Sequence, residues 1–230
     1  MKIFLDTADV SMIGPAYDTG LIDGVTTNPT LILKSGRTLS DVAKELTTAF
    51  PNLESISTEV VADTAEEMLA QAEEFIPLAP KVITVKVPCT VEGLKVCRYL
   101  SNEGVKVNVT LVFSVAQAIL CAKAGAYYIS PFIGRWEDNS VDGLGLIKDI
   151  REVYNTHWFD ACSNRQGAAG SPQILGASIR DVRQVEHSAK FGANICTMPP
   201  LVFWKMYKNI MTDKGLELFQ KDWDEANKSD

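Results

Sequence analysis

Short runs rich in Val, Ile and Thr alternate along the chain with segments of helical periodicity, and turn residues separate the two kinds of segment. The pattern predicts strands at 2–7, 24–28, 55–61, 81–87, 106–112, 127–132, 173–178 and 194–198. It predicts helices at 10–19, 40–50, from 64 onward, 90–103, 114–124, 142–154, 181–190, 200–211 and, as an additional tail, 215–227. Eight strands that each precede a helix, without a run of hairpin turns, are typical of a parallel α/β barrel of the (β/α)8 type.

Local signals refine this prediction. Asp63 and Glu66 have the spacing of a capping box at the start of the third helix. Residues 155–171, rich in Asn, Ser, Gly and Ala, lengthen the sixth unit and predict a surface insertion. We expect the whole chain, 1–230, to form one domain, with 214–230 as its C-terminal tail helix.

The strand predicted at 81–87 carries a lysine, Lys86, in its apolar second half. Because side chains alternate along a strand, Lys86 shares a face with Val82 and Thr84, and in a barrel that face points inward. A buried ammonium is costly unless it is paired or loses its proton, and a neutral lysine is a good nucleophile toward carbonyl carbons. The alternative is a lysine that extends from the strand end into solvent.

The same alternation places polar residues from the other strands on the inward face. That face is predicted to carry Phe4, Asp6, Thr26, Asn28, Ser57, Glu59, Thr84, Asn108, Thr110, Ser130, Phe132, Gly176 and Ser178. The opposite, helix-facing surface is predicted to be apolar and to include Leu111, Leu175 and Ala177. Two carboxylates and a lysine converging near the strand ends predict an active site at the carboxyl end of the barrel.

Ordinary structural roles remain open for these polar residues. The cluster as a whole is compatible with hydrogen-bonded core groups and bound water. Asp6 is suited to capping the first helix, Asn28 to a turn before Pro29, and Thr110 to packing as a β-branched residue.

Two arginines follow neighbouring predicted strands. Arg135 lies just beyond strand six and Arg180 just beyond strand seven. Together they predict a phosphate site near the position that such barrels commonly use, although each alone is compatible with a solvated surface arginine. The chain has no P-loop, so a nucleoside triphosphate is not implied, and no G-x-G-x-x-G follows the first strand.

Composition narrows the range of partners. The 230 residues carry a net charge of -7, which argues against nucleic acid or an anionic membrane. We expect no signal peptide or membrane span, because Asp6 interrupts the N-terminal apolar run and polar residues interrupt 110–126. Five scattered cysteines without a C-x-x-C motif suit a reducing, cytoplasmic location. The two histidines have no ligand-like spacing, which argues against a metal site.

Several stretches in register resemble the transaldolase family, specifically the small-subunit branch that also contains fructose-6-phosphate aldolase. They are FLDTAD (4–9), GVTTNPTL (24–31), VKVP (85–88), NVTLVFS (108–114), AGAYYISPFIGR (124–135) and ASIRD (177–181), and they span nearly the whole chain. The resemblance implies a (β/α)8 barrel with the Schiff-base lysine on strand four, where Lys86 stands.

The resemblance also implies roles for the other residues. Lys86 attacks the keto carbon of a ketose phosphate, Asp6 takes the proton of the C4 hydroxyl, and Glu59 relays protons with Thr110 and a water. Residues implied to bind the dihydroxyacetone unit are Asn28, Asn108 and Ser130, and those implied to hold the phosphate are Arg135, Ser178 and Arg180. No metal or organic cofactor is implied. The tail resembles a helix that packs on a neighbouring subunit of a ring-type homo-oligomer, a pentamer or a decamer, although folding back on its own barrel is the alternative.

Two positions distinguish the activities of this branch. Its aldolase members have a glutamine where this chain has Glu59 and a tyrosine where it has Phe132. We therefore expect a transaldolase of the pentose phosphate pathway, with sedoheptulose 7-phosphate or fructose 6-phosphate as donor and an aldose phosphate as acceptor. The alternatives are a lyase that releases free dihydroxyacetone and a non-catalytic sugar-phosphate-binding barrel. A fourth alternative, a metal-dependent barrel aldolase, is disfavoured because this chain has no histidines at its predicted strand ends.

Overall fold

The computed structural model describes residues 1–157 and 171–228, apart from the side chains of Lys34 and Ser35. Parallel strands close into a barrel in sequence order, with β8 pairing back to β1. The strands are β1 (Lys2–Asp6), β2 (Gly24–Thr26), β3 (Ser55–Glu59), β4 (Ile83–Pro88), β5 (Val107–Val112), β6 (Tyr128–Pro131), β7 (Gln173–Gly176) and β8 (Ile195–Met198). The predicted (β/α)8 barrel is confirmed.

Helices surround this barrel. They are α1 (Val10–Tyr17), α2 (Pro29–Ser35), α3 (Leu39–Ala49), α4 (Ala65–Phe75), α5 (Val91–Asn102), α6 (Val115–Ala124), α7 (Ile133–Glu137), α8 (Gly143–His157), α9 (Val182–Lys190), α10 (Pro200–Lys205) and α11 (Ile210–Ala226). A single 3-10 turn at Ile76–Leu78 follows α4. Within the described ranges, no helix combines the length and the apolarity needed to cross a membrane.

Side-chain caps fix where several helices begin. Thr90 and Ser114 each accept a backbone N–H three residues ahead, at 3.0 and 3.1 Å, at the starts of α5 and α6. The capping box predicted for α4 from Asp63 and Glu66 is wrong by one residue. Thr64 accepts the N–H of Glu67 and donates its hydroxyl to the Glu67 carboxylate, because Thr64 is the residue with extended backbone at this helix start.

Two apolar layers stabilise the barrel. The larger layer lies between strands and helices and includes Leu5, Val25 and Val85, all fully buried. A smaller cluster fills the barrel interior with Phe4, Tyr128, Leu175, Ala177 and Ile195. Because apolar side chains fill the barrel interior, the polar inward residues are left to gather near the carboxyl ends of the strands.

The predicted face of β7 is wrong. Leu175 and Ala177 belong to the interior cluster, whereas a side chain at Gly176 would approach Ile133 at 3.1 Å and Ser188 at 3.3 Å, on the helix side. The prediction counted alternate residues back from Ser178, but Ser178 lies beyond the strand with φ of 60°. A left-handed residue breaks the alternation, so the count starts from the wrong phase.

Leu111 also differs from its predicted helix-facing position. Its φ is 58°, and the pairing of β5 with β6 shifts register between Val109 and Val112. This irregularity turns Leu111 into the cavity at the carboxyl end of the barrel.

The remaining differences lie in the connections. The short helices α2 and α7 were not predicted, and β2 ends at Thr26 because Asn28 caps α2 and Pro29 opens it. The helix predicted at 200–211 ends at Lys205, and the tail helix begins at Ile210 instead of Gly215. The predicted insertion begins later than expected, since α8 continues to His157. Its part at 158–170 lies outside the described residues.

Candidate functional site

A cavity of about 440 Å³ opens at the carboxyl end of the barrel. This volume lies within the usual range for small-molecule sites. The lining residues come from every side of the barrel: Asp6, Thr26, Asn28, Pro29, Thr30, Leu31, Glu59, Lys86, Leu111, Ser130, Phe132, Arg135, Ala177, Ser178, Arg180 and Thr197.

Lys86 forms a buried ion pair in this cavity. Glu59 and Lys86 are register partners at the ends of β3 and β4, and Lys86 Nζ lies 2.8 Å from Glu59 Oε2. The two side chains are 6% and 13% exposed, and Nζ also donates a hydrogen bond to the carbonyl of Thr27 at 3.1 Å. Lys86 therefore does not extend into solvent, and its amine contacts a group that can accept its proton.

Asp6 approaches the same cavity from β1. The hydroxyl of Thr26 donates to Asp6 Oδ1 at 2.8 Å, and the same hydroxyl lies 2.7 Å from the hydroxyl of Thr197 on β8. Burial raises the pKa of the Asp6 carboxyl above its ordinary value. The positive charge of Lys86 opposes this rise, as do hydrogen bonds from Thr26 and Asn28. Asp6 is thus a carboxyl group with a raised pKa beside a lysine, a combination typical of functional sites.

Two helices begin beside the cavity, and different polar residues cap them. Asn28 accepts the N–H of Leu31 at 3.0 Å with its side-chain oxygen, and its amide also hydrogen-bonds to Asp6. Asn28 therefore has a structural role, as the cap of α2, and also lines the cavity. Asp6 does not cap the first helix, because Asp9 accepts the N–H of Ser11 at 2.9 Å there.

A buried hydrogen-bonded row supports the cavity floor. The hydroxyl of Ser130 lines the cavity and donates to Asn108 at 2.8 Å, and Asn108 in turn donates to Ser57 at 3.4 Å. Asn108 is fully buried behind Ser130 and is not among the described lining residues. Thr110 is also fully buried, is absent from that lining, and its hydroxyl has no hydrogen-bond partner in the described part of the chain.

Two arginines line the part of the cavity that lies beyond β6 and β7. Arg135 belongs to α7, where its guanidinium lies 5.0 Å from the centre of the Phe132 ring. Arg180 lies on the loop after β7 and contacts the Asp138 carboxylate at 3.0 Å. Both arginines are exposed, so they are accessible to a charged ligand.

The absence of a side chain at Gly134 brings the two arginine-bearing segments together. A Cβ at Gly134 would lie 1.8 Å from the carbonyl oxygen of Ser178 and 3.0 Å from Arg180 Cγ. Only glycine permits this approach. Ser178 itself reaches the cavity because of its left-handed backbone conformation.

Sequence reasoning missed several lining residues, among them Thr197, Leu111, Thr30, Leu31 and Ala177. The alternation rule would have found Thr197 if β8 had been included, because Thr197 and Ile195 share the inward face. No signal in the sequence marked the irregular backbone that turns Leu111 inward. In the residues that the structure covers, no three His, Cys, Asp or Glu side chains form a cluster suited to a metal ion.

Comparisons with known proteins bear on this site. The sequence profile of the transaldolase/fructose-6-phosphate aldolase family matches residues 3–229. A protein of Paracoccus denitrificans (strain Pd 1222) named probable transaldolase is 50% identical over 223 residues, which cover 97% of this chain and 96% of the relative. A protein of Caulobacter vibrioides (strain NA1000 / CB15N) with the same name is 47% identical over 229 residues, covering 100% of this chain and 99% of the relative.

Solved structures show similarity of fold. A chain of a cube-shaped, highly porous protein cage, designed by fusing symmetric oligomeric domains, superposes with a TM-score of 0.59 at 14% identity, covering 99% of this chain and 78% of that chain. A chain described as native KDPGal superposes with a TM-score of 0.57 at 14% identity, covering 85% of this chain and 80% of that chain.

We expect Asp6→Asn to raise the stability of the protein at neutral pH. Since the folded-state pKa of Asp6 is raised, its contribution to stability is fully present below the ordinary carboxyl pKa and is lost as pH rises through the folded-state value. Melting temperatures of the variant and the parent should therefore coincide in acid and diverge, with the variant higher, as the pH increases.

Asp9→Asn is the matched control. The hydrogen bond from the Ser11 hydroxyl lowers the pKa of Asp9, so its ionised form stabilises the fold above the ordinary carboxyl pKa. The melting temperature of Asp9→Asn should fall slightly below that of the parent as the pH rises. If Asp6→Asn follows the same trend as the control, burial does not dominate at Asp6.

Proposed function

Because the chain belongs to the transaldolase/fructose-6-phosphate aldolase family, we propose that it transfers a dihydroxyacetone unit from a ketose phosphate to an aldose phosphate. The proposed donors are sedoheptulose 7-phosphate and fructose 6-phosphate, as in the pentose phosphate pathway. We propose that the reaction takes place in the cytoplasm, where reduced thiols are normal.

The observation that carries this proposal is the buried contact between Lys86 and Glu59. An amine must lose a proton before it attacks a carbonyl carbon, and Glu59 is in direct contact with that amine. Once the amine adds to the keto carbon, loss of water from the carbinolamine gives a protonated imine. The low exposure of Lys86 keeps bulk water away from this intermediate.

Asp6 is the proposed base for carbon–carbon cleavage. Its carboxylate removes the proton of the C4 hydroxyl, the C3–C4 bond breaks, and the bonding electrons move into the imine. The aldehyde leaves, and the three-carbon unit stays attached to Lys86 as a stabilised carbanion. Addition of this carbanion to an acceptor aldehyde reverses the step, with Asp6 returning the proton. The imine is the electron sink, so the proposed chemistry uses only groups of this chain.

Glu59 and Thr110 are proposed to relay protons through a water during formation and breakdown of the carbinolamine. The contact of Glu59 with the amine supports this proposed role. Thr110 lies within β5 in register with Pro88 of β4, and its hydroxyl makes no hydrogen bond to the described residues. A buried hydroxyl of this kind is suited to holding a water molecule.

The other polar residues are proposed to bind substrate. Asn28 and Ser130 line the cavity and would hydrogen-bond the dihydroxyacetone unit, whereas Asn108 would act mainly by orienting the Ser130 hydroxyl. The phosphate is assigned to the far side of the cavity, where Arg135, Ser178 and Arg180 lie.

Two residues favour transfer over simple cleavage. The alternative function, a fructose-6-phosphate aldolase, releases free dihydroxyacetone and needs efficient hydrolysis of the bound intermediate. Phe132 lines the cavity and offers no hydroxyl to activate water, and its ring packs 5.7 Å from Phe113. Glu59 is ionisable and already bonded to the amine.

The tail supports a proposed homo-oligomer. No residue of α11 is buried, and its Leu216, Phe219 and Trp223 are 62%, 69% and 67% exposed. The spacing of these residues places them along one side of the helix. A continuous apolar stripe on an unburied helix is typical of a protein–protein contact, and we propose that it packs on another copy of this chain in a ring.

Reduction with sodium borohydride in the presence of fructose 6-phosphate should attach a reduced dihydroxyacetone unit to the protein. Peptide mass spectrometry should locate the added mass on Lys86, and Lys86→Met should abolish it. Lys106→Arg is the control. Burial lowers the pKa of Lys106, so its amine is well suited to forming an adduct non-specifically. A non-catalytic barrel would give no adduct, and an adduct that persists in Lys86→Met would contradict the assignment.

Turnover of fructose 6-phosphate should depend on the acceptor. We expect rapid conversion with erythrose 4-phosphate and little release of dihydroxyacetone without it. Phe132→Tyr should increase the released fraction on the order of tenfold, because a hydroxyl placed near the imine can activate water. Phe113→Tyr is the control, because it adds a hydroxyl to the ring that packs against Phe132. Appreciable cleavage by the parent without acceptor would identify an aldolase instead.

The oligomer proposal can be tested on α11. Replacing both Phe219 and Trp223 by Glu should reduce the molar mass measured by light scattering, because buried carboxylates would disrupt an apolar contact. Lys221→Glu changes charge on the opposite side of the same helix and should leave the assembly unchanged. An unaltered mass in the double variant would contradict an oligomer contact through this stripe.

A further inference from the structure

Two cysteine side chains meet in the apolar layer between strands and helices, and one of them, Cys89, stands three residues after Lys86 in the chain. Cys89 directly follows β4 and is partly exposed, and Cys121 is buried on α6. Their sulfur atoms lie 3.7 Å apart. We propose that this pair is an oxidation site, which a hydroperoxide closes to a disulfide, and that closure slows the reaction at Lys86.

Cys89 differs from the other described cysteines, Cys121 included, because the hydrogen bond with Cys89 and burial raise the pKa of Cys121 whereas the pKa of Cys89 is lowered. Cys97 directs its thiol to the carbonyl of Ala124 at 3.8 Å, and burial raises the pKa of both Cys97 and Cys196 to about 12. The thiol of Cys121 hydrogen-bonds to Cys89 and lowers the pKa of Cys89 below its ordinary value. Because the thiolate is the form that reacts with peroxides, Cys89 is the cysteine suited to the first step.

The chemistry of closure needs the hydroperoxide as oxidant and no other reagent. With hydrogen peroxide, the Cys89 thiolate attacks one peroxide oxygen, the O–O bond breaks, and the products are a sulfenic acid and hydroxide, which takes up the proton that Cys89 released on ionising and becomes water. The Cys121 sulfur then attacks the sulfenic sulfur, the S–O bond breaks, and the leaving hydroxide takes the Cys121 proton as water. Two sulfur atoms are oxidised by one electron each, and one peroxide is reduced to two waters.

Closure requires movement near Lys86. A disulfide bond is about 2 Å long, so the sulfur atoms must approach each other by well over 1 Å. The turn after β4 has little freedom to absorb this movement, because a side chain at Gly93 would lie only 2.0 Å from the Pro88 carbonyl oxygen. The Cys89 N–H also donates to the Thr110 carbonyl at 2.9 Å. Displacement of Cys89 is therefore transmitted to β4 and β5, which carry Lys86 and Thr110.

The test uses the full chain with Cys162→Ser, because Cys162 lies outside the described residues and its removal leaves the four described cysteines, Cys89, Cys97, Cys121 and Cys196. The protein is treated with hydrogen peroxide, digested without reduction and analysed by mass spectrometry. We expect a linked peptide that contains Cys89 and Cys121. Turnover should fall by roughly tenfold, since small displacements of catalytic groups have large effects, and dithiothreitol should restore it.

Two variants separate the proposed pair from general oxidation. Cys121→Ser should stop at a sulfenic acid on Cys89 that dimedone traps, and Cys97→Ser should behave like the parent. A linked peptide joining other cysteines, no linked peptide at all, or a Cys89–Cys121 link that leaves turnover unchanged would overturn the proposal. The mass measurement does not depend on the proposed sugar-phosphate reaction, so an inactive protein would still decide whether the pair closes.

Discussion

The contact between Lys86 and Glu59 constrains the candidate site more than any other interaction. The Lys86 side chain is 6% exposed, and a buried ammonium is tolerated only beside a compensating group. The Glu59 carboxylate, 2.8 Å away, is that group. The two residues are direct register partners on neighbouring parallel strands. A shift of either strand by one residue would turn one side chain toward the helices and leave the other charge buried alone. Strand register and site chemistry are therefore linked.

Regular alternation explains why the centre of the site could be predicted from the sequence. Asp6, Glu59, Lys86 and Ser130 lie on regular strands, and all four line the cavity as their positions in the alternation predict. The other face of these strands packs against helices, so its residues are apolar and reveal the phase of the pattern. The barrel itself could be predicted because eight strand-like segments each precede a helix without a run of hairpin turns.

Irregular backbone explains what the sequence could not predict. Ser178 and Leu111 have positive φ angles, and each lies where the simple alternation fails. The face of β7 was assigned from Ser178 and was wrong, although Ser178 itself reaches the cavity. The hydrogen bond between Thr26 and Thr197 joins β2 to β8 across β1 and depends on barrel closure, so no local pattern reveals it. The short helices α2 and α7 have too few residues to show a periodicity.

The charged groups of the cavity differ in their exposure to solvent. Lys86 and Glu59 are shielded, as an amine that must react without competition from water requires, whereas Arg135 and Arg180 are exposed on the far side. Exposed cations can meet a phosphate that still carries its hydration shell, and they need no compensating burial. Arg180 already has a carboxylate contact with Asp138, so a phosphate bound as proposed would have to compete with that contact. At physiological ionic strength the screening length is about 8 Å, and screening acts mainly on exposed charges. Ionic strength should consequently affect the proposed capture of a phosphate far more than the proposed proton transfer between Lys86 and Glu59.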